Sequence, residues 1–206
     1  MALVLMNKTI ASLVFIVAFV TVFATKVKAA FIDYTYQGVG SGSIGAISFA
    51  DTVFTIRAQG DTSARLTIPQ GFSLRNTTAS ITIGALGTFN FITATRFFVN
   101  NTSIGPNPGV GISVATGADI FDFGPNQVFA SWDMTTSIGP VSGANGYILP
   151  VSNYGTLDTS GGVLVFVFEH GIPTTFEATV VPEPTTLPLF GSGLIGVAAL
   201  RRKFGK

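Results

Sequence analysis

Apolar residues recur at every second position through the body of this chain, and that period limits what it can fold into. In residues 52–58, Phe54, Ile56 and Ala58 share one side, while Thr55 and Arg57 share the other. Leu66 and Ile68 oppose Arg65 and Thr67, Ile81 and Ile83 flank Thr82, and Phe176, Ala178 and Val180 alternate with Glu177 and Thr179. A period of two marks strands with one face buried. The run 88–100 places Phe89, Phe91, Phe97 and Val99 on one face. The segment 163–168, Val-Leu-Val-Phe-Val-Phe, is apolar on both faces and reads as a central core strand. Turn residues fall between these runs, as at Gln59-Gly-Asp61, Pro69-Gln-Gly71, Asn145-Gly146 and Ser160-Gly-Gly162. No stretch of the body has the period of a long amphipathic helix. About ten to twelve short strands at this spacing predict an all-β fold, an antiparallel β-sandwich of jelly-roll type.

The body is residues 30–181, since both ends of the chain have another character. It holds four arginines, no lysine and nine carboxylates, a net charge of −5, although the whole chain is +1. An acidic, lysine-free domain suits a phosphate backbone poorly, so nucleic acid is not an expected partner. The chain has no cysteine, which removes disulfides, thiol catalysis and cysteine-bound zinc. A body of this size buries about two-thirds of the surface its unfolded chain exposes, enough for one domain with its own core.

Chemistry-bearing residues are few. Gly40-Ser-Gly-Ser-Ile-Gly45 has the letters of a dinucleotide fingerprint, but a strand-like segment follows where a helix N-terminus is needed. His170 is the only histidine, and no Gly-x-Ser-x-Gly elbow exists to present a nucleophile beside it. Glu169 and Glu177 are the only glutamates of the body, a thin basis for a glycosidase pair. We therefore expect no catalytic residues, no cofactor and no metal. One alternative is calcium held by Asp119, Asp122 and Asp133, although the spacing fits no EF-hand. Another is a sugar-stacking platform of Trp132, Tyr147 and Tyr154, with Tyr36 beside them; aromatics in such folds more often fill the core.

The N-terminus carries Lys8, then an apolar run over 10–24, then Val27-Lys28-Ala29. These are the three regions of a secretory signal peptide over 1–29, with cleavage between Ala29 and Ala30 by signal peptidase. Lys26 and Lys28 sit where charge is usually sparse in such a peptide. At the C-terminus, Pro182-Glu183-Pro184 precedes an apolar stretch over 187–200, and Arg201-Arg202-Lys203 follows at once. As a helix that stretch spans roughly 21 Å, short of a bilayer core of about 30 Å, and its basic flank is expected to remain cytoplasmic.

A Pro-Glu-Pro motif, a short apolar segment and a basic stop, in that order over 182–206, resemble the PEP-CTERM sorting signal of exported bacterial proteins. The resemblance implies processing by a membrane-embedded exosortase, an inner-membrane intermediate held by a transmembrane sorting helix, and delivery to the cell surface or extracellular matrix. It also implies an association with exopolysaccharide. The body motif from Tyr34 to Gly42, Tyr-Thr-Tyr-Gln-Gly-Val-Gly-Ser-Gly, is similar to domains that travel with this signal, and implies no particular activity. Three readings of function follow. The leading one is a non-catalytic exported surface or matrix protein. The alternatives are a carbohydrate-binding jelly-roll module and a secreted hydrolase.

Overall fold

A computed structural model describes residues 31–101, 108–150 and 155–181. Residues 29–181 make up one compact unit. Twelve strands run in chain order: β1 Phe31–Ile44, β2 Ile47–Asp61, β3 Leu66–Ile68, β4 Gly71–Ile83, β5 Gly87–Asn90, β6 Thr95–Asn100, β7 Gly109–Val114, β8 Asp119–Phe123, β9 Ile138–Ile148, β10 Leu157–Thr159, β11 Gly162–Phe166 and β12 Glu169–Val181. Helical structure among the described residues is confined to three single 3-10 turns.

The expected jelly-roll sandwich is not what forms. Strands β1, β2, β4, β6, β7, β8, β9 and β12 are hydrogen-bonded in that order, and β12 pairs back onto β1, closing an eight-stranded antiparallel barrel. Every neighbour around the ring is next in chain order once the short strands are set aside, an up-and-down topology with no Greek-key crossing. Closure joins the two ends of the body, with register partners from Phe31↔Val181 to Gln37↔Thr175. The alternating pattern was read correctly, but it serves a barrel and a sandwich equally, because both bury one face of each strand. What separates them is long-range pairing, which no local pattern encodes.

The extra strands extend the barrel wall, β3 at the end from which β1 starts and β5, β10 and β11 towards the other. β3 and β5 both pair with β4, and β11 pairs with β1 where β12 has left it. Strand β10 pairs with β11 and meets the segment after β5 through the Phe91↔Thr159 bridge, with Ile92 N donating to Asp158 O at 2.8 Å. The run 88–100, which reads as one strand, is thus split into β5 and β6 around the point where β10 docks. Two glycines of the fingerprint-like stretch explain themselves here. Gly42 leaves room for the Val165 carbonyl of β11, and Gly45 adopts a φ of 55° in the β1–β2 turn. Both serve a hairpin and no helix follows, in keeping with the rejected nucleotide reading.

The interior is filled with rings. Tyr34, Tyr36, Phe54, Phe97, Phe121, Phe123, Phe129 and Phe176 are all fully buried. Phe176 is the hub, with ring centroids 4.8 Å from Tyr36, 5.6 Å from Trp132 and 5.7 Å from Phe129. The loop after β8 closes the end of the barrel from which β1 starts, inserting Phe129, Trp132 and Met134. That plug is tied down by Asn101, whose Nδ2 donates to the carbonyls of Phe129 (2.6 Å) and Trp132 (2.7 Å). Arg65 holds it from the other side, through Nη1 to Asp133 Oδ2 at 2.7 Å, while its guanidinium lies 4.3 Å over the Phe72 ring. An apolar packed interior with a hydroxyl-rich exterior is the reverse of an outer-membrane barrel, whose apolar band faces outward.

The segment 163–168 is not a core strand buried on both faces. Leu164 and Phe166 point inward, while Val163, Val165 and Val167 point out, 37%, 43% and 56% exposed. β11 pairs alongside β1 as an extension of the wall, so it has only one buried face. The expected signal peptide and the sorting helix lie outside the described residues, and among the described residues no helix is long and apolar enough to cross a membrane.

Candidate functional site

The outer wall over β12, β1, β2, β4 and β5 forms a groove of ≈ 560 Å³. Its geometry follows from strand register. Thr35 on β1 faces Glu177 on β12 and Arg57 on β2; Arg57 in turn faces Ser80 on β4, and Ser80 faces Asn90 on β5. Two positions along, Thr179, Asp33, Gln59 and Thr78 make a second row. Strands about 4.8 Å apart make the five-residue row about 19 Å long. Alternation sends these polar side chains out while Tyr34, Tyr36, Ile56 and Ala58 go in. Gln59 Nε2 donates to Asp33 Oδ1 at 2.8 Å. None of the side chains in the five-residue row makes a hydrogen bond or ion pair within the described chain. The groove was not anticipated from sequence. The signal was present in the hydroxyl and amide residues at alternate positions, but nothing local says which strands become neighbours.

The carboxylates singled out from sequence do not gather. Asp119 and Asp122 share β8 and repel one another. Burial pushes Asp122 up to about 8, helped by the neighbouring Asp119 charge. Asp119 is raised as well, by burial, with Arg96 acting in the opposite sense. Asp122 stays unpartnered at one buried oxygen, against Gly111, where any Cβ would collide with it and with Phe98. Asp133 stands elsewhere. Burial alone would raise it, but hydrogen bonds from Thr135 and the Arg65 pair outweigh that and hold it below the usual range. Among the described residues, no three His, Cys, Asp or Glu side chains come close enough to hold a metal ion. Asp133 therefore does not join Asp119 and Asp122, the trio named for a calcium alternative.

The aromatic trio is also separated. Trp132 is only 5% exposed, its Nε1 donating to Thr136 O at 2.8 Å within the plug, so its indole face is not available to a sugar. Tyr36 is inside the barrel, and Tyr154 lies outside the described residues. Tyr147 alone is on the surface, 40% exposed on β9, where it faces His170 of β12. Phe168, 54% exposed, lies 6.1 Å from the His170 ring at an interplanar angle of 49°. His170 thus keeps aromatic company at the surface. Glu169 is engaged too, its Oε1 accepting from Ser41 N at 2.8 Å.

The remaining candidate is the C-terminal segment, which starts where the barrel stops, at Val181. Residues 180–203 match the PEP-CTERM protein-sorting motif. The chain carries a PEP-CTERM sorting signal. The match takes in Pro182, Glu183 and Pro184 and runs through Arg201, Arg202 and Lys203, which themselves lie outside the described residues. A PEP-CTERM signal makes this an exported bacterial protein, directed to the cell envelope and processed by an exosortase. The motif covers the tail alone and assigns nothing to the barrel. No curated protein and no solved structure matches the chain.

Proposed function

We propose that the chain is a non-catalytic protein of the cell surface or extracellular matrix, associated with exopolysaccharide. On this reading signal peptidase removes residues 1–29, exosortase processes the 182–206 tail, and the barrel over 30–181 is the delivered product. The single observation that carries it is the PEP-CTERM motif beginning at the last strand of a closed barrel. Phe31 and Val181 are register partners, so the barrel is closed by its own first and last strands and needs neither processing segment to complete the ring. The non-catalytic part is supported by the separation of the candidate acids and by the engagement of Glu169. In the precursor, the short apolar span over 187–200 acts as a transient anchor with its basic end cytoplasmic.

The test compares a host carrying the cognate exosortase with the same host lacking it. The account expects protein on the surface or in the matrix in the first, and full-length precursor in the inner membrane in the second. Identical distribution in the two hosts contradicts it.

A further inference from the structure

We propose that the groove across β12, β1, β2, β4 and β5 binds a neutral polyhydroxylated chain, a polysaccharide of hexose type laid across the strands. This rests on the reading of the chain as an exported envelope protein and names the partner that its surface would meet. The first argument is unused hydrogen-bonding capacity. Arg57 presents a guanidinium with no carboxylate within ion-pair distance, although Glu177 and Asp33 line the same groove. On either side of it the hydroxyls of Thr35 and Ser80 have no partner among the described residues. The Gln59–Asp33 bond fixes both groups while leaving one oxygen of each free to accept. A sugar ring carries adjacent hydroxyls that donate and accept at once, which suits such a mixed wall better than a ligand of one polarity.

The second argument is charge. The groove holds two carboxylates and one guanidinium, and the body as a whole is −5 without a lysine. A polyanionic chain would be repelled on approach, whereas a neutral one is indifferent to that field. The third is rigidity. Thr35, Thr78, Thr179 and Ser80 are short side chains on paired strands, and Gln59 is already held by Asp33, so little rotamer freedom is lost where these are engaged. The exposed Tyr147, His170 and Phe168 are at the other end of β12 and form a separate surface.

The experiment is calorimetric titration of the full chain, held in a detergent without a sugar headgroup, with cellohexaose and maltohexaose as neutral probes and an alginate hexamer as the anionic one. At least one neutral hexamer should bind, with an affinity that changes little as salt is raised. Arg57→Ala should weaken it about tenfold or more, as expected for losing hydrogen bonds from a charged donor. Ser80→Ala should weaken it in the same direction, and Tyr147→Ala should leave it unchanged. Circular dichroism of each variant guards against loss of fold. The proposal is overturned if no neutral hexamer binds, if only alginate binds and salt abolishes it, or if the loss falls on Tyr147→Ala rather than Arg57→Ala. Failure here is distinct from failure of the sorting account. A chain that is trimmed and delivered normally but binds no neutral hexamer refutes only the groove.

Discussion

Ring packing in this barrel is uneven, and among the described residues Phe176 meets the most neighbours. Its ring touches those of Tyr34, Tyr36, Phe97, Phe129 and Trp132. Phe176→Ala should cost about 3–5 kcal/mol in chemical denaturation, the range for truncating a buried aromatic. Tyr36 behaves differently. Its hydroxyl is buried with no partner among the described residues, and burial, with Asp122 nearby, raises its pKa well above the ordinary value. Removing that unpaired group in Tyr36→Phe should leave stability unchanged or raise it by about 1 kcal/mol. Asp122 sets a pH dependence. Its folded pKa of about 8 lies above the unfolded value of 3.8, so the native state holds a proton that the unfolded chain has released. Stability therefore falls as pH rises from about 4 to about 8, by a few kcal/mol at most. Denaturation midpoints across that window should fall in the wild type and flatten in Asp122→Asn. A midpoint that rises over the same window contradicts the assignment.

At the scale of elements, strand identity was legible and strand partnership was not. The alternation of Phe54, Ile56 and Ala58 against Thr55 and Arg57 reads straight through to buried and outward positions in β2. Composition misled at 163–168, because outward valines of β11 are as apolar as its inward residues. Trp132, an alternative sugar-stacking residue in sequence, instead plugs the barrel, the core role that aromatics in such folds more often take. The groove was invisible for a related reason. Glu177, Thr35, Arg57, Ser80 and Asn90 come from five strands spread over most of the body, and only register lines them up. The closing pair of strands makes the sharpest test at this scale. In a closed barrel, hydrogen-bonded amides of β12 facing Phe31 to Gln37 should exchange as slowly as those of the β1–β2 hairpin. An open sandwich would leave one of these strands at an edge, with amides that exchange far faster.

For the whole molecule, the tail was the most legible part of the sequence, because a sorting signal is linear. A proline-flanked acid, a short apolar span and a basic stop need no tertiary partner to be read by a membrane enzyme. The barrel ends at Val181, so trimming in this segment removes no strand of the closed ring. The central claim, that an exosortase trims this tail from a closed barrel, is tested most directly by intact mass of the delivered protein. In a host with the cognate enzyme, the account predicts a wild-type product lacking the apolar span and basic stop. It predicts full-tailed precursor in the inner membrane when Pro182, Glu183 and Pro184 are all changed to alanine. A triple variant trimmed and delivered like the wild type would contradict it.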